Sequence, residues 1–187
     1  MHTASFFKYL AFGLMTLFAL LGGLFAAGYA VTDLDGGTAA LLIASYAVPA
    51  IGLSILALLR PGTAGPVLVA LTVVVLVFND IDAVVRLIPR DTWGPVGVVS
   101  ALMLAAAVGF LGLHRPTLAG WLLIALAVGQ FVAAVMPRLR GDGGMPISAA
   151  LTGSSGVVVV PLLVIGVLFL VAGRMPGATA ALAAPAH

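Results

Sequence analysis

The chain has 187 residues, of which 63% are hydrophobic and 7% charged, with a formal net charge of +2 and no cysteine. Soluble domains carry about 25% charged residues, so a mean hydropathy of +1.26 excludes a water-soluble fold and places the chain in a bilayer, where helices stay apolar on every side. Charge this sparse excludes a nucleic-acid partner, and without thiols there are no disulfides and no thiolate chemistry.

Taken in order, Phe6–Ala30 is the first apolar run, with Lys8 as its only charge. A signal-peptide core is about 7–15 residues, whereas crossing the hydrocarbon takes about 20 helical residues. The run is therefore expected to be a retained first span. Gly22, Gly23, Ala26 and Ala27 form small-xxx-small pairs on it, which favour close helix contact. Thr32-Asp33-Leu34-Asp35-Gly36-Gly37 reads as a tight turn. Thr38–Leu59 is the second span, with Pro49 inside it and Ser45 four residues earlier, placed to satisfy the carbonyl that the proline frees.

The third span is predicted to start near Pro66. Its uninterrupted apolar part, Val67–Phe78, is 12 residues, or about 18 Å, too short to cross. It must continue through Asn79-Asp80-Ile81-Asp82-Ala83-Val84-Val85-Arg86-Leu87-Ile88, ending at Pro89. On a helix Asn79, Asp82 and Arg86 then form one polar stripe, and Asp82 and Arg86 are spaced to pair. After a loop over positions 89–95 that includes Trp93, an interface-type residue, Val96–Leu113 is the fourth span. Leu118–Met136 is the fifth, stopped by Pro137, with Gln130 as its one strongly polar interior residue. A long connection, Arg138–Ser155, includes a candidate interfacial piece at Pro146–Leu151. The sixth span is about Gly156–Gly173, and residues 176–187 form a flexible Ala-rich tail.

The sequence repeats with an offset of 55. Arg60, Pro61, Ala64, Gly65, Leu68, Ala70, Leu71 and Val73 recur as Arg115, Pro116, Ala119, Gly120, Leu123, Ala125, Leu126 and Val128, and Ser45 recurs as Ser100. The expected fold is an all-α membrane protein: a single bundle over residues 1–175, with six transmembrane helices as three tandem helical hairpins. The repeat units are about 6–61, 62–116 and 117–174, the last marked by Gly173-Arg174-Met175-Pro176. Lys and Arg divide evenly between the two sides, but every Asp falls on one side, which favours both termini inside.

No catalytic motif is readable, and His2, His114 and His187 lie too far from the acids to form a metal site. The expectation is therefore a non-enzyme with no cofactor and no metal. Its partners would be membrane lipids and a larger membrane complex or a second copy of itself. Its role would be that of an accessory, scaffold or lipid-contacting subunit. The alternative is a small transporter or channel, because ionisable residues inside a span are costly and mark function. Its candidate ligand- or ion-binding residues are Asn79, Asp80, Asp82, Arg86 and Gln130.

Through Ala27-Gly28-Tyr29, Asp35-Gly36-Gly37, Arg60-Pro61 and Arg115-Pro116, together with Arg in place of Lys and abundant Ala, Gly and Val, the chain resembles the small six-helix integral membrane proteins of high-GC bacteria. That resemblance implies a multi-pass protein of the bacterial cytoplasmic membrane. It carries no activity, site residue or partner with it.

Overall fold

In the computed structural model, which describes residues 2–33, 35–85, 96–141 and 156–175, these residues form six helices and no strand. They are α1 (His2–Asp33), α2 (Gly36–Leu59), α3 (Pro61–Val85), α4 (Val96–Gly112), α5 (Pro116–Leu139) and α6 (Gly156–Arg174). Five of the six are long and apolar enough to cross a membrane. The exception is α4, at 17 residues, or about 25 Å.

The packing explains why α4 can be short. Helices α1, α2, α3, α5 and α6 close a ring in that order, each against the next, and α4 stands inside it in contact with all five. Nine of its residues are buried, from Ala101 to Gly112. A helix jacketed by protein has its backbone polar groups satisfied and has no lipid to match in length. By contrast, only Ala39 and Ala57 of α2 are buried. The three sequence hairpins therefore do not occupy equivalent places, since α4 is central while α2 and α6 belong to the ring.

The helix corners are tighter than expected. Arg60 alone separates α2 from α3, so the third span begins at Pro61 rather than near Pro66. Proline disfavours the α conformation in the residue before it and suits the first position of a helix. Arg60 is thus forced to φ −135, ψ 67, and Arg115, before Pro116, takes nearly the same values at φ −132, ψ 69. In both, the Arg N–H donates back to the helix it ends (Leu56 O, 2.8 Å; Leu111 O, 2.8 Å), and the Arg carbonyl accepts the first bond of the helix it starts, from Ala64 and Ala119. The repeated Arg-Pro-x-x-Ala-Gly stretch is one local structure used twice. Helix α5 likewise begins earlier than expected and runs past position 137 to Leu139.

Ser45 does not fill the role expected of it. Its hydroxyl donates to Leu42 O at 2.7 Å and not to the Ser45 carbonyl, the one that Pro49 leaves free. Of the glycine pair on α1, Gly22 packs against Leu102 of α4, whereas Gly23 has nothing within reach of a Cβ.

The turn into α2 is held by Asp35. Its carboxylate accepts from the N–H groups of Gly37 (3.1 Å) and Thr38 (3.0 Å) and from the Thr38 hydroxyl (2.7 Å). The Thr38 hydroxyl first, then these N–H groups, hold the Asp35 carboxyl below the usual 3.8. A depressed folded-state value stabilises the fold above the unfolded value, and that stabilisation is lost as pH falls through the folded one. Amide protection at Gly37 and Thr38 is accordingly expected to be full near neutral pH and to fall in acid. Asp35→Asn, which keeps a capping side chain but cannot titrate, should flatten the profile. Identical profiles for the two proteins would show that Asp35 does not set it.

Candidate polar site

Close approaches fix the helix directions and sort the charges. Gly22 meets Leu102 and Gly109 meets Met15, so α1 runs antiparallel to α4; Gly173 meets Thr117, so the end of α6 lies beside the start of α5. Gly65, near the start of α3, lies against Arg115 and Leu118. One end of the bundle therefore carries Arg60, His114, Arg115 and Arg174. The other carries the described acids Asp35, Asp80 and Asp82, together with Arg138 and Arg140.

Three polar side chains are buried among the described residues: Thr72, Asn79 and Gln130. Thr72 is satisfied within its own helix, donating to Leu68 O at 2.7 Å, the usual solution for a buried hydroxyl. The two amides meet across helices. Asn79 of α3 donates from Nδ2 to Gly97 O at 3.4 Å, and Gln130 of α5 donates from Nε2 to the same oxygen at 3.3 Å. Three helices are thus tied at one backbone carbonyl, at the acid-bearing end. Both bonds are longer than the usual 2.9–3.0 Å.

Glycine at 97 is what permits this approach. A Cβ there would lie 2.7 Å from Asn79 Oδ1, so the amide straddles Gly97, its nitrogen on the carbonyl and its oxygen over the Cα. Asn79 Oδ1 is buried and has no hydrogen-bond partner, and the same holds for Asp80 Oδ1. Nearby, the Tyr46 hydroxyl of α2 lies close to the Ser100 hydroxyl of α4.

Of the candidate residues, the structure brings Asn79 and Gln130 together. Asp80 and Asp82 follow on α3 and are half-buried, and Arg86 lies outside the described residues. The expected depth of the two acids also changes. With α3 starting at Pro61, Asn79 lies about 27 Å along the helix and Asp82 about 31 Å, at the far edge of a hydrocarbon layer about 30 Å thick. Asp80 and Asp82 thus lie within the last described turns of α3, which is described to Val85, while Asn79 is buried just before them.

Sequence reasoning missed Gly97, the shared acceptor. It offered only a glycine shortly after Pro95 as a signal. Among the described residues no cluster of three His, Cys, Asp or Glu side chains is placed to hold a metal ion. A groove of about 210 Å³ between α5 and α6 is lined by Ala127, Val128, Phe131, Val159 and Leu163 and includes no polar side chain. No protein family matches the chain, and no curated protein or solved structure is similar to it.

Proposed function

We propose that the chain is a non-catalytic multi-pass protein of the bacterial cytoplasmic membrane, with both termini inside, serving as an accessory or scaffold subunit of a larger membrane assembly. The observation that carries this reading is the filled axis of the bundle. Leu104, Val108 and Leu111 of α4 are fully buried, in one core cluster with the fully buried Leu68, Leu123 and Phe169 of three ring helices. A solute path needs a polar lining or a void, and side chains packed in contact provide neither.

The outer surface agrees with such a role. Leu20, Leu24 and Phe25 of α1 and Val48, Ile51 and Ile55 of α2 are exposed, so these two helices offer the broadest faces to lipid or to a partner. Both termini inside follows from placing Arg60, Arg115 and Arg174, with no described acid beside them, on the cytoplasmic side. The decisive experiment places a photo-crosslinking residue at Val48 or Ile55 in intact cells. One discrete protein adduct of defined mass is expected; lipid adducts alone at every outward position of α1 and α2 would remove the scaffold reading.

One observation favours a second reading, a small transporter or channel. Asn79 Oδ1 and Asp80 Oδ1 are oxygen acceptors held out of water without partners, and such groups in a membrane suit a cation or a proton donor. Asp82→Asn in proteoliposomes separates the two readings. A flux lost with that substitution establishes transport, and its absence from both proteins leaves the scaffold.

A further inference from the structure

Three arginines, two from the Arg-Pro corners and one from the end of α6, gather at the end of the bundle that has no described acid. Arg115 reaches Gly65 at the start of α3, five residues after Arg60, so the two Arg-Pro corners lie side by side. Gly173 presses on Thr117, which places Arg174 next to the second of them. Each arginine borders an apolar span: Arg60 between α2 and α3, Arg115 immediately before α5, Arg174 as the last residue of α6. All three are exposed, and among the described residues none makes an ion pair or a side-chain hydrogen bond. Their donors are unused, and each stands at the end of a helix long and apolar enough to cross a membrane.

We infer that Arg60, Arg115 and Arg174 form a headgroup site for an anionic phospholipid. The guanidinium fork matches a phosphate in two parallel hydrogen bonds. A zwitterionic lipid presents its own ammonium beside the phosphate and gains less. The acyl chains have an apolar wall to follow, since Leu59 (72% exposed) and Trp121 (53% exposed) flank the same corners, and an indole at this level is an interface residue. The opposite end does not offer the same field, because Arg138 and Arg140 share it with Asp35, Asp80 and Asp82. This inference stands independently of the scaffold reading.

The test is native mass spectrometry of the intact protein released from nanodiscs of mixed phosphatidylglycerol and phosphatidylcholine. The wild type should retain phosphatidylglycerol preferentially. Each of Arg60→Ala, Arg115→Ala and Arg174→Ala should reduce that preference about fivefold, and the triple variant on the order of a hundredfold. Arg138→Ala with Arg140→Ala should leave it intact, and raised salt should weaken it. An Arg→Lys triple variant, which keeps the charge and loses the fork, should be intermediate and serves if the alanine protein does not fold. Equal retention of the two lipids, or loss of preference with the Arg138/Arg140 pair, overturns the site. Displacement of the lipid by millimolar inorganic phosphate would also overturn it, by making this a site for a free anion.

Discussion

Valine at position 120 is expected to separate α5 from α6 and to be the most damaging single substitution in the bundle. A Cβ at Gly120 would lie 2.7 Å from the Gly166 carbonyl oxygen, and one at Gly166 would lie 3.0 Å from the Gly120 oxygen. Both obstacles are backbone, so no side chain can swing aside and a whole helix must move. Further along the same seam, a Cβ at Gly173 would collide with Thr117. Overpacking a well-filled contact costs about 1–3 kcal/mol, and here the branched side chain should take it to about 3 kcal/mol or more. Gly120→Ala already meets the obstacle and should fall within the 1–3 kcal/mol range. The comparison is Gly52→Ala on α2, where nothing lies within 4 Å of a Cβ and the better helix former should be neutral or slightly stabilising. Unfolding in detergent, followed by the fluorescence of neighbouring Trp121, gives both numbers. Equal behaviour of Gly120→Ala and Gly52→Ala would contradict the seam.

That seam was not legible in the sequence, and the reason is physical. A membrane helix is apolar all round, so hydrophobic periodicity, which marks the buried face of a soluble helix, carries no contrast here. The spans themselves were legible because the bilayer demands about 20 apolar residues at a time, and the Arg-Pro corners were legible because proline constrains its predecessor wherever it occurs. Which helix stands in the centre was not. The available signal was the density of small residues in α4, with Ala101, Ala105, Ala106, Ala107, Gly109 and Gly112 among its residues, since small side chains let helices approach from several sides. Asn79 and Gln130 could each be singled out as costly in lipid. Their meeting on one carbonyl depends on how α3 and α5 flank α4, and no spacing within a helix encodes that.

Alanine at position 97 is expected to break the polar tie between three helices in a single step. Its Cβ would lie 2.7 Å from Asn79 Oδ1 and 3.2 Å from Asn79 Cγ, so Asn79 must leave the Gly97 carbonyl and, being buried, must be left without a partner. Interhelical hydrogen bonds in membranes are worth about 0.6 to 2 kcal/mol. Losing one while stranding a buried amide, with overpacking added, should total about 2–3 kcal/mol. The sharper statement concerns coupling. Asn79→Ala removes both the hydrogen bond and the obstacle, so Gly97→Ala should be nearly silent in that background. Residues in contact couple by about 0.5–3 kcal/mol, and a value near the upper part of that range is expected here. Gln130 approaches the same oxygen by its Nε2, and the three atoms nearest a Cβ at 97 all belong to the Asn79 amide. Gln130→Leu should therefore destabilise the bundle modestly and add to Gly97→Ala without strong coupling. Additive behaviour of positions 79 and 97 would mean that Asn79 does not occupy the space over Gly97, and the clamp would lose its support.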